Sequence, residues 1–352
     1  MTDSSPIRLA KAPKNLPADW TPPVPAFSGR FDPALAYPVF AYLGIQDHGG
    51  GLDAAQLAVA ELLGADTRPL SVEWAEFQDP SGHMNRVAVT YWKDRETFRA
   101  WHETGTFADW WRDEARLDDG VGYWLEAVAT PLERFETLFS GSDRPAGICQ
   151  HAEALEGPVL EHGYWGAAKD RITLSGADQL ASSLERLSPD GRNPDALGRR
   201  LKVPAPENVC LIRSGQDPTD CAGEELEEYL SDLQPLLIAG LSYLASHPAE
   251  TGCFSSRFMH EVDAENRRTG KTFGWAFWQS IDHMGRWAQD HPTHLAIFNR
   301  FLEIAEARGA DIRLRLWHEV SVPQAEDCVL EYINCHPKTG FLPFLDAEDF
   351  PS

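Results

Sequence analysis

A histidine near the end of the chain is predicted to lie on the apolar face of a helix. Pro292 suits a first helical turn, and within that helix His294 shares a face with Ile297, Phe298 and Phe301 at spacings of three, four and seven residues. Such a histidine is either a core or rim residue satisfied by one hydrogen bond or a ligand of a metal or haem. A neutral imidazole is a good ligand there because its lone pair is available and water is excluded.

A second histidine falls on the interior face of a predicted strand. Strict alternation places His318 on one face with aliphatic side chains, namely Ile312, Leu314, Leu316, Val320 and Val322. An imidazole in this position can be bonded to a backbone carbonyl or can transfer protons, and the apolar frame favours proton transfer. Glu319, as the next residue of the strand, should face away from His318.

Three further residues have side chains suited to such chemistry, but each also has an ordinary explanation. Ser214 ends a strand whose inward set includes Cys210 and Ile212, yet serine before glycine is common in turns. By default, Arg171 is a solvated loop cation and Glu136 a surface carboxylate. No Gly-x-Ser-x-Gly motif surrounds Ser214, which argues against a serine hydrolase, and neither a Gly-rich phosphate loop nor zinc-ligand spacing occurs.

Composition limits the partners of the protein. The chain has 352 residues and a formal net charge of -23, so nucleic acid and an anionic membrane would be repelled, whereas a small neutral substrate is compatible. Its six cysteines show no Cys-x-x-Cys spacing, which predicts reduced thiols rather than zinc, an Fe–S cluster or a redox pair. We expect a cytoplasmic protein because no signal peptide and no membrane span is evident.

The predicted elements follow the same order in two halves of the chain. In the first half we predict strands at 40–46, 86–92 and 121–128 and helices at 53–63 and 96–112. In the second half we predict strands at 209–214, 254–262, 272–279 and 312–322 and helices at 224–246 and 292–308. The order strand, helix, strand, strand, helix, strand in the second half is ferredoxin-like.

Short residue matches support an internal repeat of this order. They are Tyr91-Trp92 with Phe277-Trp278, Trp101 with Trp287, residues 124–127 with 317–320, and residues 44–47 with 214–217. We therefore predict an α+β fold in which two ferredoxin-like halves pack sheet to sheet as one α+β barrel. The expected organisation is an extended Pro-rich arm (1–30), an N-terminal half (31–155), a connector (156–208) and a C-terminal half (209–352).

Five longer motifs point to a known family. They are Glu161-His-Gly-Tyr-Trp-Gly, Leu211-Ile-Arg-Ser-Gly-Gln-Asp, His291-Pro-Thr-His-Leu, Leu316-Trp-His-Glu-Val-Ser-Val and Glu331-Tyr-Ile-Asn-Cys-His-Pro-Lys-Thr-Gly. In these motifs the chain resembles the bacterial aldoxime dehydratases, haem b enzymes that convert an aldoxime, R-CH=N-OH, to the nitrile and water. The resemblance spans nearly the whole chain and is weakest in the Pro-rich arm and in residues 180–206.

The resemblance implies a role for each candidate residue. His294 would be the proximal ligand of a haem that lies between the barrel and the helices. His318 would be the catalytic histidine, and Ser214 would hold the oxime hydroxyl. Arg171, on the connector, and Glu136 would complete the distal site. Ferrous haem would bind the oxime nitrogen while His318 assists the loss of water, and the protein would be a homodimer.

Two other classes of protein would bind haem through the same residues. A haem peroxidase-like enzyme on a similar barrel would use ferric haem and peroxide, and it would form no nitrile. A non-enzymatic haem carrier or gas sensor would use His318 only to gate a ligand. Nitrile formation from an aldoxime under reducing, anaerobic conditions distinguishes the first interpretation from both alternatives.

Overall fold

The first half of the chain is a four-stranded antiparallel sheet with helices against one face. The structure, a computed structural model, describes Leu9 and residues 13–65 and 67–351, except for the side chain of Ala310. Pro6 and most of the beginning of the predicted arm lie outside the described residues. The elements are β1 (Ser28–Arg30), β2 (Val39–Asp47), α1 (Leu52–Leu63), β3 (Ser71–Gln78), β4 (Met84–Trp92), α2 (Arg95–Glu103), α3 (Gly105–Arg112) and β5 (Val121–Ala129).

Two features of this half differ from the sequence prediction. The strand β3 was not predicted, because Glu73 and Glu76 occupy opposite faces and break the alternation of apolar and polar residues. The helix predicted at 96–112 is divided into α2 and α3 at Thr104, which has an extended backbone. Asp94 caps α2 by accepting a hydrogen bond of 2.8 Å from the backbone N–H of Thr97.

The connector and the second half supply the remaining elements. After β5, the end of the first half contains β6 (Phe135–Phe139) and β7 (Ala154–Glu156), and the connector contains α4 (Ala167–Arg171) and β8 (Arg200–Lys202). The second half contains β9 (Cys210–Asp217), α5 (Glu224–Glu228), a π-helical turn (Tyr229–Leu233), α6 (Gln234–Ser246), α7 (Pro248–Thr251), β10 (Cys253–Val262), β11 (Arg268–Trp278), α8 (Ile281–Asp290), α9 (Pro292–Arg308) and β12 (Arg315–Ser321). The tail contains β13 (Cys328–Ile333) and β14 (Glu348–Asp349). As predicted, α9 begins at a proline and is followed by Gly309.

Strand order confirms the α+β fold with two ferredoxin-like halves. The first half pairs in the order β5-β2-β4-β3 and the second in the order β10-β11-β9-β12, and β3 pairs with β10 to give one antiparallel sheet. That sheet has twelve strands in the described part of the chain, with β13, β8 and β14 added beyond β5 and β6 added beyond β12. The strand order runs from β14 to β6, and these two end strands do not pair with each other. The two half-sheets therefore do not form the closed barrel that complete strand pairing would give.

The two half-sheets nevertheless pack face to face, as predicted. Large aromatic side chains fill the space between them, and the ring of Tyr42 from the first half stacks on Trp275 from the second with centroids 3.9 Å apart. The opposite face of each half-sheet is covered by helices. In the second half, Val320 and Ile212 on this outer face pack with Met284 of α8. His318 lies on this outer face, under the helices.

A tryptophan lies over a glycine at the same place in each half, which supports the internal repeat. Trp124 is directly opposite Gly44 on the neighbouring strand, and Trp317 is directly opposite Gly215. A Cβ atom at Gly44 would lie 1.9 Å from the ring of Trp124, and one at Gly215 would lie 2.2 Å from the ring of Trp317. Each indole therefore occupies the space that a side chain at the opposite glycine would fill.

Strand register corrects one of the sequence matches by one residue. Because Trp124 and Trp317 are equivalent and their partners are glycines, Ser214 corresponds to Leu43, not to Gly44. The match of residues 44–47 with 214–217 was wrong, because similarity over so few residues does not fix the register of a strand. The directly paired Ser214 and His318 are thus equivalent to the paired leucines Leu43 and Leu125.

Within the described residues, no helix is both long and apolar enough to cross a bilayer.

Replacing Gly215 by alanine should destabilise the protein by about 1–3 kcal/mol, because the new methyl group would displace the ring of Trp317 in a packed core. That ring also stacks on Phe139, with centroids 5.9 Å apart. The free energy of unfolding in urea measures the effect. Gly285→Ala in α8 is the control, since its added Cβ has no heavy atom within 4 Å apart from its chain neighbours and the backbone of its own helix. Equal unfolding free energies for the two variants would contradict this packing argument.

Candidate functional site

Strand pairing brings three of the predicted site residues to one face of the second half-sheet. His318 on β12 is directly opposite Ser214 on β9 and opposite Leu138 on β6. Glu136 precedes Leu138 by two residues on β6, so its side chain projects to the same face. Directly opposed residues of an antiparallel pair have Cβ atoms about 5 Å apart, so Ser214 and His318 are neighbours.

Arg171 joins this face from the connector and completes a cluster of three contacting side chains. Its Nε donates a hydrogen bond of 2.6 Å to Oε2 of Glu136, and its Nη2 lies 3.0 Å from Nε2 of His318. The same Nε2 of His318 lies 3.1 Å from Oε1 of Glu136. Arg171 also donates from Nη1 to the carbonyl oxygen of Glu161 at 2.7 Å. The last residue of a five-residue helix is therefore held by three groups from other elements.

The charges of Arg171 and Glu136 are removed from solvent. Their side chains are 2% and 1% exposed, so the default interpretations as a solvated cation and a surface carboxylate were wrong. Burial alone would raise the pKa of Glu136, but the charges of Arg171 and His318 and their hydrogen bonds outweigh it and hold the pKa at about 2. Glu136 is consequently ionised at neutral pH beside the imidazole.

His318 is positioned so that one ring nitrogen is engaged and the other is not. Its Nε2 lies between an acceptor, Glu136, and a donor, Arg171, whereas Nδ1 has no hydrogen-bond partner among the described residues. The side chain is 26% exposed, in contrast to the buried ion pair beside it. The hydroxyl of Ser214 likewise makes no hydrogen bond within the described residues. The cluster thus presents an imidazole nitrogen and a hydroxyl toward the helices.

His294 lies in the first turn of α9, across from this face. Its Nδ1 donates a hydrogen bond of 2.7 Å to the carbonyl oxygen of Ala288, which leaves the lone pair on Nε2. Burial lowers the pKa of His294 to about 4, although the hydrogen bond to Ala288 opposes this shift, so the ring is neutral at pH 7. Proximity to His318 lowers the pKa further.

The surroundings of His294 fit an axial ligand of haem. Aromatic rings flank the imidazole, with centroid distances of 4.8 Å to Trp287, 6.2 Å to Trp165 and 6.5 Å to Phe298. A ligating histidine ordinarily donates its other ring N–H to a carbonyl or carboxylate, as His294 does to Ala288. The outer face of β12 and the same helix share one apolar cluster, because Leu316 of β12 and Ile297 of α9 both pack against it. A neutral imidazole on the helix and a polar cluster on the sheet therefore face one region.

Two motif residues next to Arg171 belong to the site, although the sequence did not single them out. Glu161 supplies the carbonyl oxygen that Arg171 binds. His162 has its pKa lowered to about 4, by burial first and then by the charge of Arg171 and by His318, and its Nε2 has no hydrogen-bond partner within the described residues. Both lie in the motif of residues 161–166, which was the available signal.

The motif of residues 331–340 is not part of this site. Glu331 accepts hydrogen bonds from Nε1 of Trp111 at 2.7 Å and from His102 at 3.0 Å, in the first half. Gly340 has a φ of +53°, and a Cβ there would lie 2.4 Å from the hydroxyl of Tyr332. These contacts attach the tail to β5 and its helices, so the motif serves the fold.

Comparison with known proteins agrees with the geometry. Residues 41–341 match the family model described as haem-containing dehydratase. The chain is 36% identical to the phenylacetaldoxime dehydratase of Bacillus sp. (strain OxB-1), over 96% of both chains. It is 37% identical to the aliphatic aldoxime dehydratase of Rhodococcus globerulus, over 94% of this chain and 93% of that relative. A crystal structure of an aldoxime dehydratase in complex with butyraldoxime is similar, with a TM-score of 0.87, 35% identity, and coverage of 95% of this chain and 93% of that chain.

On the other face of β12, Glu319 points between the two half-sheets, as predicted. It accepts hydrogen bonds from the hydroxyl of Tyr91 at 2.5 Å and from the backbone N–H of Ile148 at 3.1 Å. Arg213, the neighbour of Ser214, donates to the same Tyr91 hydroxyl at 2.7 Å. Burial raises the pKa of Glu319 to about 7, although the charge of Arg213 and these hydrogen bonds lower it. Glu319 and Arg213, the residues next to His318 and Ser214, are therefore connected through the Tyr91 hydroxyl on the face opposite the site.

When the pH is raised from 5 to 8, the free energy of unfolding of the wild type should fall by about 1–3 kcal/mol more than that of Glu319→Gln. The pKa of about 7 in the folded state lies above the unfolded value of about 4.3, so the folded protein binds more protons between these values and stability falls as the pH rises. Urea unfolding at both pH values measures this difference. Glu348→Gln, at an exposed position, is the control and should parallel the wild type. If Glu319→Gln also parallels the wild type, the titration of Glu319 does not contribute.

Proposed function

Because the chain belongs to the haem-containing dehydratase family, we propose that it is an aldoxime dehydratase, which removes water from R-CH=N-OH to give the nitrile R-CN. The observation that carries the proposal is the contact of His318 Nε2 with both Glu136 and Arg171, on the face that meets the helix of His294. In a dehydration of this kind the leaving hydroxyl needs a proton and the carbon must lose one.

His294 is the residue that would hold the haem iron, through Nε2. In its ferrous form, bound haem b would supply electron density that weakens the N–O bond. The chain supports this assignment with the neutral state of the imidazole and the hydrogen bond that fixes its tautomer. The aromatic rings of Trp165, Trp287 and Phe298 beside it would give the haem an apolar environment on the side of this ligand. The names of the relatives include both phenylacetaldoxime and aliphatic aldoximes.

His318 would serve as acid and then as base through Nδ1. In the protonated ring, Nε2–H is directed at ionised Glu136, and Nδ1–H is free to give its proton to the leaving hydroxyl, which departs as water. When the neutral ring carries its proton on Nε2, toward Oε1 of Glu136 and without the hydrogen bond from Arg171, the lone pair on Nδ1 can take the C–H proton. The products are the nitrile and one water, and His318 ends in its starting state.

The other members of the cluster would orient these transfers. Ser214, directly opposite His318, would hold the oxime hydroxyl next to Nδ1. Glu136 would stabilise the protonated ring, and Arg171 would keep Glu136 ionised and fixed in position. We also propose a cytoplasmic homodimer, as the family resemblance suggests; sedimentation of the haem-loaded protein tests the dimer.

Replacing His318 by alanine should lower nitrile formation by about 10²–10⁴-fold with haem content unchanged, because the proton relay is lost while His294 remains. Ser214→Ala should have an intermediate effect. Haem-loaded protein is reduced with dithionite under anaerobic conditions and mixed with butyraldoxime, and nitrile is quantified by gas chromatography. His247→Ala, at an exposed position on the loop after α6, is the control. An undiminished rate in His318→Ala would overturn the proposed role, and an inactive wild type would overturn the proposed function.

Replacing His294 by alanine should abolish stoichiometric haem binding, because α9 carries no other histidine and the Nδ1 of His291, at its N-cap, is hydrogen-bonded to Thr293. Soret absorbance per polypeptide after reconstitution measures the loss. Free imidazole added to the variant should restore part of the absorbance by replacing the missing ligand. Full haem content with an unchanged spectrum in His294→Ala would show that another residue is the ligand.

A further inference from the structure

The described part of the N-terminal arm lies across the segment that carries Arg171. The indole N–H of Trp20 donates to the carbonyl oxygen of His162 at 2.9 Å, and its ring meets the ring of Tyr164 edge to face with centroids 5.6 Å apart. The backbone N–H of Leu9 donates to Oε2 of Glu161 at 2.9 Å. The arm therefore contacts the connector of its own chain through specific polar bonds.

Asp170 is the centre of this contact. Its carboxylate accepts from the backbone N–H groups of Lys14 and Asn15, both at 3.0 Å, and from the side-chain amide of Asn15 at 2.9 Å. A fourth hydrogen bond, of 2.9 Å, comes from the hydroxyl of Tyr164. A carboxylate offers about four acceptor positions, so this set uses its capacity. Asp170 is only 3% exposed, and the next residue is Arg171.

Two glycines allow the arm to approach the connector so closely. Gly163 and Gly166 have φ values of +76° and +89°, where glycine is favoured. A Cβ at Gly163 would lie 2.7 Å from Pro23, and one at Gly166 would lie 2.7 Å from the side chain of Asn15. The motif of residues 161–166 is therefore shaped to receive the arm, which accounts for its glycines.

The helix that ends at Arg171 is too short to be rigid on its own. α4 has five residues, and an isolated helix of that length is unstable in water. Lys14 Nζ also donates to the carbonyl oxygen of Ser175 at 2.9 Å, beyond the end of α4. The arm thus binds before, within and after the helix, at Glu161, Asp170 and Ser175.

We propose that Asp170 is a positioning residue, and that the N-terminal arm bound to it holds Arg171 against Glu136 and His318 for catalysis. This inference rests on the proposed function. Glu161 contributes from both of its ends, because its carboxylate accepts from the arm and its carbonyl oxygen accepts from Arg171. Loss of the Asp170 contacts releases α4 and shifts the guanidinium, and displacements of about 1 Å at a catalytic group can cost on the order of 100-fold in rate.

Hydrogen exchange tests the contact without reference to activity. In haem-loaded Asp170→Asn, the amides of Lys14 and Asn15 should exchange faster. The NH₂ group that replaces one carboxylate oxygen cannot accept hydrogen bonds, so both donors to that oxygen lose their partner. Amides of residues 161–171 should exchange faster with them. Asp327→Asn is the matched control, since Asp327 is also a buried carboxylate that accepts from a tyrosine, Tyr37, at 2.5 Å. Unchanged exchange at Lys14 and Asn15 would overturn the inference.

Steady-state kinetics test the positioning role. Asp170→Asn should lower kcat by about 10- to 100-fold, with haem content and KM within about twofold of the wild type. Asp327→Asn should leave kcat unchanged. In an Arg171→Gln background, Asp170→Asn should cause little further loss, because its effect passes through Arg171. A merely structural role for Asp170 predicts the same fold-loss in both backgrounds, and that result would overturn the proposal.

Milder variants keep the test available if Asp170→Asn does not fold. Tyr164→Phe and Asn15→Ala each remove one of the four hydrogen bonds to Asp170, and each should lower kcat by a smaller factor, again only when Arg171 is present. An inactive wild type would overturn the proposed function and the positioning role together. An active wild type with unchanged kcat in all three variants would overturn the positioning role alone.

Discussion

A buried charge pair sets the conditions for the rest of the site. Arg171 and Glu136 are almost entirely removed from solvent, and their contact at 2.6 Å must offset the cost of taking both charges out of water. Since Arg171 comes from the connector and Glu136 from the edge strand β6, the pair forms only when the connector folds over the outer face of the second half-sheet. His318 is then held beside a carboxylate that stays ionised.

The two halves use the same sheet position in opposite ways. In the first half the paired Leu43 and Leu125 pack beneath the helices as ordinary core. In the second half Ser214 and His318 occupy the equivalent positions, and polar groups there need partners other than hydrocarbon. The helix opposite them, α9, carries the neutral imidazole of His294. Two polar residues of the site therefore occupy positions that are core leucines in the other half.

Local patterns predicted most of the fold and only part of the site. Alternation and spacing gave the strands that carry His318 and Ser214, and proline and glycine marked the ends of α9. The strands β3 and β6 were missed, because glutamates interrupt the first and the second has only five residues. Arg171 and Glu136 were surface residues by default, since burial of a charge depends on a partner distant in the chain. The resemblance to a family, and not periodicity, identified them as site residues.

We propose that His294 and His318 lie on opposite sides of a bound haem. A crystal structure of the reduced, haem-loaded protein with butyraldoxime tests it most directly. We expect His294 Nε2 at the iron and the imidazole of His318 on the other side, within hydrogen-bond distance of the oxime hydroxyl. Both imidazoles on one side of the porphyrin, or iron bound to another residue, would contradict it.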